Sequence, residues 1–527
     1  MCGIAAYTGR NLEIKQRFEK EFQKIKHRGP DNTTILDLNE NGWLGFHRLM
    51  IVDLSEKGNQ PLIQNHIHLI CNGEIYNDHN LRKQYNAFPF KSTSDCESII
   101  PLYLDKGIEQ TVKLLDAEFA FVLFDMNLKK YFAARDPIGI RPLFYGYADD
   151  GAIMFASEMK PLHNLCKVVK PFPPGHYYDG EKFILYRDIT DVKPNNDSIE
   201  VIYEKISEYL IKSVEKRLQA DAPLGFLLSG GLDSSLVSAI GARLMHKPIK
   251  TFAVGMNVGA IDLKWAKIAA DFIGADHTEI IFTKEDVLET LNELIYLLET
   301  WDITTIRASM GMYIMCKSIF KNTSVRTLLT GEISDELFGY KYTDFAPNAA
   351  EFQKEAVKRI QEIYLYDVLR ADRSLAGASL EARVPFGDLQ FAEYVMSIPA
   401  EKKMNSTGIG KYMLRKSFEK HNLLPESILW REKAAFSDAV GHSMVDYLKE
   451  HAESKYSDAD VILAAKKYPY CPPFTKESLM YRDIFEESFP ERADVIKDFW
   501  MPNKNWENCN VNDPSARALP NYGKSGE

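Results

Sequence analysis

The sequence predicts two domains of different class: a β-rich layered domain, then an α/β domain with a doubly wound parallel sheet that continues into a mainly helical part. Three observations carry this expectation. At 527 residues the chain exceeds what one ordinary core organises. Up to about residue 190 it reads as short apolar runs separated by turn signals, as at 67–71, 118–125, 131–134 and 143–147. Further on, strand-like runs at 224–228, 250–254, 278–282 and 325–329 alternate with helical patterns at 234–245, 263–273 and 286–299. That alternation is the pattern of a parallel sheet covered on both faces.

The boundaries follow from composition. The polar stretch 189–197, with Pro194, reads as a linker, so the domains are expected at 2–190 and 200–500. Asp197, with Glu200 three residues on, predicts a helix start. From there Val201, Ile202, Ile206, Tyr209, Leu210, Val214 and Leu218 recur at helical spacing. Residues 502–527 are rich in Asn, Pro, Gly and Ser, which predicts a flexible tail.

Composition excludes several function classes. A 45% hydrophobic and 26% charged chain is that of a globular protein, and a net charge of −10 argues against non-specific nucleic-acid binding. No apolar run reaches the roughly 18–20 residues of a membrane span, so no membrane partner is expected. The N-terminus lacks the basic and apolar regions of a signal peptide. The seven cysteines are odd in number, scattered and free of CxxC or Cys/His spacing. That argues against a disulfide scaffold or zinc site and points to a reducing compartment, the cytoplasm.

The first chemical signal is Met1-Cys2-Gly3-Ile4. Once Met1 is removed, Cys2 carries a thiol and an α-amine whose ordinary pKa near 7.7–8.0 suits a general base. Alone, a second-position cysteine is more simply a buried inert residue. It is followed by His27-Arg28-Gly29-Pro30-Asp31, then by His47-Arg48-Leu49-Met50-Ile51-Val52-Asp53. Asn72-Gly73-Glu74-Ile75-Tyr76-Asn77 and Ser94-Asp95-Cys96-Glu97 come next. Each run has a bland reading: HRGPD a capped turn, NGE a hairpin turn, Asp95 an N-cap. In this order, with Ala134–Gly139 and Ala156-Ser157-Glu158, they resemble the glutamine amidotransferase domain of the N-terminal-nucleophile type.

The resemblance implies a four-layer αββα sandwich and a set of roles. Cys2 is the expected nucleophile, and the Asn72 side chain with the Gly73 N–H the expected oxyanion hole. Arg48 is expected to clamp the α-carboxylate of glutamine, and Asp95 with Glu74 to accept from its α-ammonium. Leu49, Met50, Ile51 and Val52 complete the implied glutamine site. A retained Met1 would leave the glutaminase dead.

The second signal is Leu228-Ser229-Gly230-Gly231-Leu232-Asp233-Ser234-Ser235, between a predicted strand and a predicted helix. Glycine amides, serine hydroxyls and a helix start together suit a pyrophosphate cradle. The absence of lysine separates the run from the GxxxxGK[ST] loop. The glycines alone would fit an ordinary strand–turn–helix corner; the full string resembles the loop of synthetases that cleave ATP to AMP and pyrophosphate. Asp233 is then an expected Mg²⁺ ligand.

Thr251–Gly255, Trp301–Ser309, Thr330–Gly339, Leu380–Phe386 and Trp430–Asp438 follow in order. Taken jointly with the first domain, they resemble the glutamine-hydrolysing asparagine synthetases over about residues 1–500. The resemblance places Leu228 and Val254 at adenine, Thr330 and Gly331 at AMP, and Ser229, Gly230, Gly231 and Ser234 around the phosphates. Asp335 is the second implied Mg²⁺ ligand. Glu332 is implied in forming the β-aspartyl-AMP and deprotonating ammonia, and Lys433 in neutralising charge on the phosphates. The substrates implied are ATP, L-glutamine and L-aspartate, with ammonia carried along a dry internal passage and a homodimer as the assembly.

The family loop usually runs SGEGSDE and then FGGY. Here Ile333 stands in place of a glycine, unfavourable if that position needs φ > 0, and Tyr340 in place of the second later glycine. Two further readings remain at this point: a related amidotransferase acting on another carboxylate, and a non-catalytic protein of the same fold.

Overall fold

The first part of the chain forms two antiparallel six-stranded sheets. One runs, in spatial order, Val169–Pro171, Phe144–Tyr147, Ile153–Ala156, Gly3–Tyr7, Trp43–Arg48 and Asn32–Asp37. The other runs Phe183–Leu185, His176–Tyr178, Lys130–Arg135, Ala117–Asp125, Ile67–Ile75 and Leu62–Gln64. Their inner faces share one core, in which Ile4, Ala6, Leu44 and Phe46 from the first sheet meet Ile70, Ala120, Val122 and Phe124 from the second. On the outer face of the first sheet, Phe18 and Phe22 of the helix Leu12–Phe22 pack on Trp43, with ring centroids 5.1 and 5.4 Å apart. The helix Ile99–Leu114 shares a second core with Leu69, Cys71, Phe119 and Phe121.

Side chains of this kind contribute roughly 1.5–3 kcal/mol each on burial, so a one-residue register slip would be costly. The register therefore fixes where chemistry can occur. Gly3 pairs with His47, which brings Cys2 to the end of the strand that carries Arg48. Asn72 and Gly73 pair with Ala120 and Phe119 in mid-sheet.

The later part is built on a five-stranded sheet in the order Asp276–Phe282, Lys250–Met256, Leu224–Leu227, Thr327–Leu329, Glu381–Arg383. Pairing among the first four is parallel. After Leu224–Leu227 the chain adds two strands on one side, then returns to the other side with Thr327–Leu329. Such a reversal opens a crevice at the carboxyl ends of the two central strands, the usual ligand position in open α/β sheets. The two strands lead directly into Leu228-Ser229 and Thr330-Gly331.

The computed structural model describes residues 1–257, 260–432 and 442–523. It divides into one unit of 1–189, 219–223 and 375–381, and a second of 190–218, 224–374 and 382–527. The division is less simple than one linker at 189–197 implies. Residues 375–381 join the first unit because Leu380 O accepts from the Met1 amine at 3.2 Å and Ser379 Oγ donates to His27 O at 2.7 Å.

Three local expectations need correction. Asn72-Gly73 makes no hairpin turn: the strand Ile67–Ile75 runs straight through it. Glycine is needed there for clearance, since a Cβ on Gly73 would lie 2.6 Å from Glu118 O. The helix Ile199–Arg217 is capped by Ser198, whose Oγ accepts from Val201 N, not by Asp197. Asp197 instead accepts from Lys205 Nζ at 2.8 Å and Tyr394 Oη at 2.9 Å. The segment from 502, expected to be flexible, is packed as far as it is described: Trp506 and Cys509 are buried, and Asp513 pairs with Arg307 at 2.9 Å. Its polar composition hides these few strong anchors.

Candidate active site

Each unit holds a cleft with its own chemistry. In the first, Cys2, Arg48, Leu49, Ile51, Val52, Asn72, Gly73, Glu74 and Asp95 line one small cleft. Of the expected glutamine residues only Met50 is absent from its wall; its N–H donates to Asp31 Oδ2 at 2.8 Å.

The Cys2 thiol sits at the Leu49 peptide: the Leu49 N–H donates to Sγ at 3.5 Å, and Sγ lies 3.7 Å from Leu49 O. With Met1 in place, burial pushes the Cys2 thiol up to about 11. Burial likewise lowers the Met1 amine to about 6, against the opposing carboxylate of Glu381. In this form the sulfur stays protonated at neutral pH, and the Cys2 nitrogen is locked in a peptide bond.

The Arg48 guanidinium is aimed by neutral oxygens. Nη1 donates to Ser55 O at 2.6 Å and to Asn59 Oδ1 at 2.8 Å, and Nη2 donates to Asp53 O. Gly58 makes room for it, since a Cβ there would stand 2.3 Å from Nη2. Asp95 Oδ2 accepts the Ile75 N–H at 2.6 Å, which ties its turn to the Asn72 strand. The Asn72 Nδ2 is buried and has no hydrogen-bond partner among the described residues. A buried amide donor without an acceptor costs about 1–3 kcal/mol unless a ligand supplies one. Sequence reasoning missed Gln60 and Glu381 in this wall. Gln60 bonds both ways to the Cys71 backbone, at 2.6 and 3.1 Å.

The second unit's cleft is a cavity of about 250 Å³ at the crevice between the two central strands. Leu228, Ser229, Gly231, Asp233, Ser234, Val254, Thr330, Gly331, Glu332 and Asp335 all line it. Gly230 does not. Its φ of +72° makes the turn, and a Cβ would collide with Trp265 C at 2.3 Å. The Thr330-Gly331 turn presses on the serine-rich loop, since a Cβ on Gly331 would lie 2.8 Å from Ser234 N. Thr330 Oγ1 is buried with no hydrogen-bond partner among the described residues.

The charges are organised by residues with no local signature. Lys411 Nζ lies 2.6 Å from Asp233 Oδ2, 2.5 Å from Asp335 Oδ1 and 2.9 Å from Ser334 Oγ. Despite burial, these two carboxylates hold its pKa above the ordinary lysine value. Arg370 Nη2 donates to Glu332 Oε2 and, at 3.1 Å, to Asp367 Oδ1. Burial raises the Glu332 carboxyl to about 7, against the pull of Arg370. Ile333 does adopt the strained backbone, at φ 77°. Tyr340 lines the cavity and donates to Asp367 Oδ2 at 3.1 Å. Lys433 lies outside the described residues.

A magnesium ion fits the donor set. Asp233 and Asp335 already share one cation, and hard carboxylate oxygens beside a phosphate-sized space are what Mg²⁺ takes. Among the described residues, no three His, Cys, Asp or Glu side chains cluster into an all-protein metal cage. None of the described helices is long and apolar enough to cross a membrane.

Comparison with known proteins agrees on both halves. Residues 1–194 match the family model of a glutamine amidotransferase domain, and residues 205–355 and 343–515 match that of asparagine synthase. Asparagine synthetase [glutamine-hydrolyzing] from Gallus gallus is 41% identical over 563 residues, covering 99% of both chains. The proteins of the same name from Pongo abelii and Homo sapiens are each 40% identical with the same coverage.

Proposed function

The chain belongs to the glutamine-hydrolysing asparagine synthetases, and we propose how its two clefts divide that family's reaction, the glutamine-dependent amidation of aspartate. The observation that carries the division is the contrast in wall chemistry. One cleft joins a thiol to an orphaned amide donor; the other joins a Gly/Ser loop to half-buried carboxylates and the buried cations Lys411 and Arg370. The first unit's face-to-face sheets, with a helix against the outer face of each, we read as an αββα arrangement.

In the first cleft, Cys2 without Met1 attacks the side-chain amide of glutamine, its own α-amine taking the thiol proton. Asn72 Nδ2 and the Gly73 N–H hold the oxyanion. Arg48 binds the α-carboxylate while Asp95 and Glu74 receive the α-ammonium. Leu49, Ile51 and Val52 form the wall behind. Ammonia leaves, and water releases glutamate from the thioester.

In the second cleft, adenine lies between Leu228 and Val254, with Thr330 and Gly331 at the AMP moiety. Ser229, Gly231 and Ser234 face the phosphates, and Gly230 shapes their turn. Asp233 and Asp335 would hold Mg²⁺, which neutralises phosphate charge when bound. Lys411 adds a fixed positive charge between them, and we assign Lys433 the same task from its sequence position. The β-carboxylate of aspartate displaces pyrophosphate from the α-phosphate, giving β-aspartyl-AMP. Arg370 orients Glu332, which takes a proton from ammonia as nitrogen displaces AMP. Ammonia is mostly ammonium at neutral pH, so its transfer must outrun protonation, which calls for a dry passage. Operation in the cytoplasm suits seven cysteines that are all free thiols.

The test is one assay on the full-length protein with ATP, Mg²⁺, aspartate and glutamine. AMP, pyrophosphate, asparagine and glutamate should form in equal amounts. AMP formation only with a different carboxylate would reassign the substrate, and no turnover at all would sink the catalytic reading.

A further inference from the structure

The C-terminal segment has no role in the mechanism above, yet it builds one side of the second cavity. Pro514, Ser515, Ala516 and Leu519 line the same space as Ser229, Asp233 and Glu332. The segment is anchored before this stretch by buried Trp506 and Cys509, and after it by Asn521 Nδ2, which donates to Lys341 O at 3.0 Å. At the start of the wall the anchor is ionic. Asp513 Oδ1 accepts from Arg307 Nη1 at 2.9 Å, and Oδ2 lies 2.5 Å from Lys449 Nζ. Arg307 is itself part of the cavity wall and is clamped from behind by Glu477, with Nε donating to Oε1 at 2.8 Å. The Ser515 N–H closes a turn onto Asp513 Oδ1 at 2.8 Å.

We propose that Asp513–Leu519 is a strap that keeps bulk water from the acyl-adenylate, and that Asp513 is the positioning residue that latches it. This rests on the adenylate chemistry proposed above. An acyl-adenylate has two fates. Attack by ammonia on the acyl carbon breaks the bond to the phosphate oxygen, releases AMP and, after loss of a proton, leaves the amide. Attack by water on the same carbon also releases AMP but returns aspartate, so ATP becomes AMP and pyrophosphate with no product. A packed wall of Pro, Ser, Ala and Leu favours the first fate by excluding solvent.

The measurement is pyrophosphate released per asparagine formed, in the full-length protein, with ATP, Mg²⁺, aspartate and ammonium chloride. Wild type should give a ratio near one. Asp513→Asn keeps the shape and one acceptor but removes the charge, and should raise the ratio by about two- to threefold or more. Lys449→Gln, whose side chain is 43% exposed and outside the cavity, should shift it the same way by less. It keeps the test alive if the Asp513 variant fails to fold. An unchanged ratio in both variants overturns the strap, including the case where both product rates fall together, which marks a merely structural role. No pyrophosphate from wild type with aspartate would instead bring down the adenylate reading itself.

Discussion

Arg48 in the first cleft and Arg370 and Arg307 in the second are used in opposite ways. Arg48 is held by a backbone carbonyl from each of Ser55 and Asp53 and by the Asn59 amide oxygen, all uncharged. Its positive charge is directed without being neutralised, ready for a substrate carboxylate. Arg370 and Arg307 are held by carboxylates, Glu332 and Asp367 in one case and Glu477 and Asp513 in the other. There the charge goes into placing other side chains. An arginine ringed by dipoles reads as a substrate clamp, and one ringed by anions as a support for the protein's own groups.

The contrast can be broken at several points. The largest effect is expected from Cys2→Ala, which should lower glutamine hydrolysis by ~10³-fold or more, while asparagine formation from ammonium chloride persists. Its mirror, Glu332→Gln, should cut synthesis by roughly 10²–10⁴-fold yet leave glutamate release intact. Loss of both activities in either variant would end the division of labour. Next, Asn72→Ala should lower kcat for glutamine hydrolysis by about 10²–10³-fold, measured in steady state without ATP. Arg48→Lys loses the two-armed geometry and should raise the KM for glutamine by about 10–100-fold, with the ammonium route unaltered. An equal rise in the KM for aspartate would contradict the assignment of this arginine to glutamine. The smallest effect is expected at Ile333. Glycine there relieves about 1–3 kcal/mol of backbone strain but forfeits roughly 1.5–3 kcal/mol of burial, so the thermal midpoint should barely move.

The motifs made much of both clefts legible, because each is a contiguous run in which local backbone shape and chemistry coincide. Ser229–Ser234 and Thr330–Glu332 leave neighbouring strands at the reversal of strand order, so two distant runs meet without further instruction. What stayed hidden comes from long range. Lys411 sits in a glycine-rich polar stretch that reads as a solvated loop, yet its ammonium joins Asp233 to Asp335. Arg370 lies on the helix Asp367–Gly377 and carries no local mark of its partnership with Glu332. The segment after 502 shows the same limit. Its composition reports an average, while one aspartate, one tryptophan and one cysteine decide its packing. At Ile333 the sequence raises a condition, strain if the position needs φ > 0, and the structure meets that condition with φ at 77°.

The capture of residues 375–381 by the first unit has a consequence for biogenesis. During synthesis the glutaminase half cannot be completed when residue 190 leaves the ribosome. The Ser379 hydroxyl that donates to His27 O, and the Glu381 carboxylate 3.8 Å from buried Arg141, do not yet exist. Nearly three quarters of the message must be translated before that half closes, so severing it at the linker should give a fragment that is less stable than its sheets suggest.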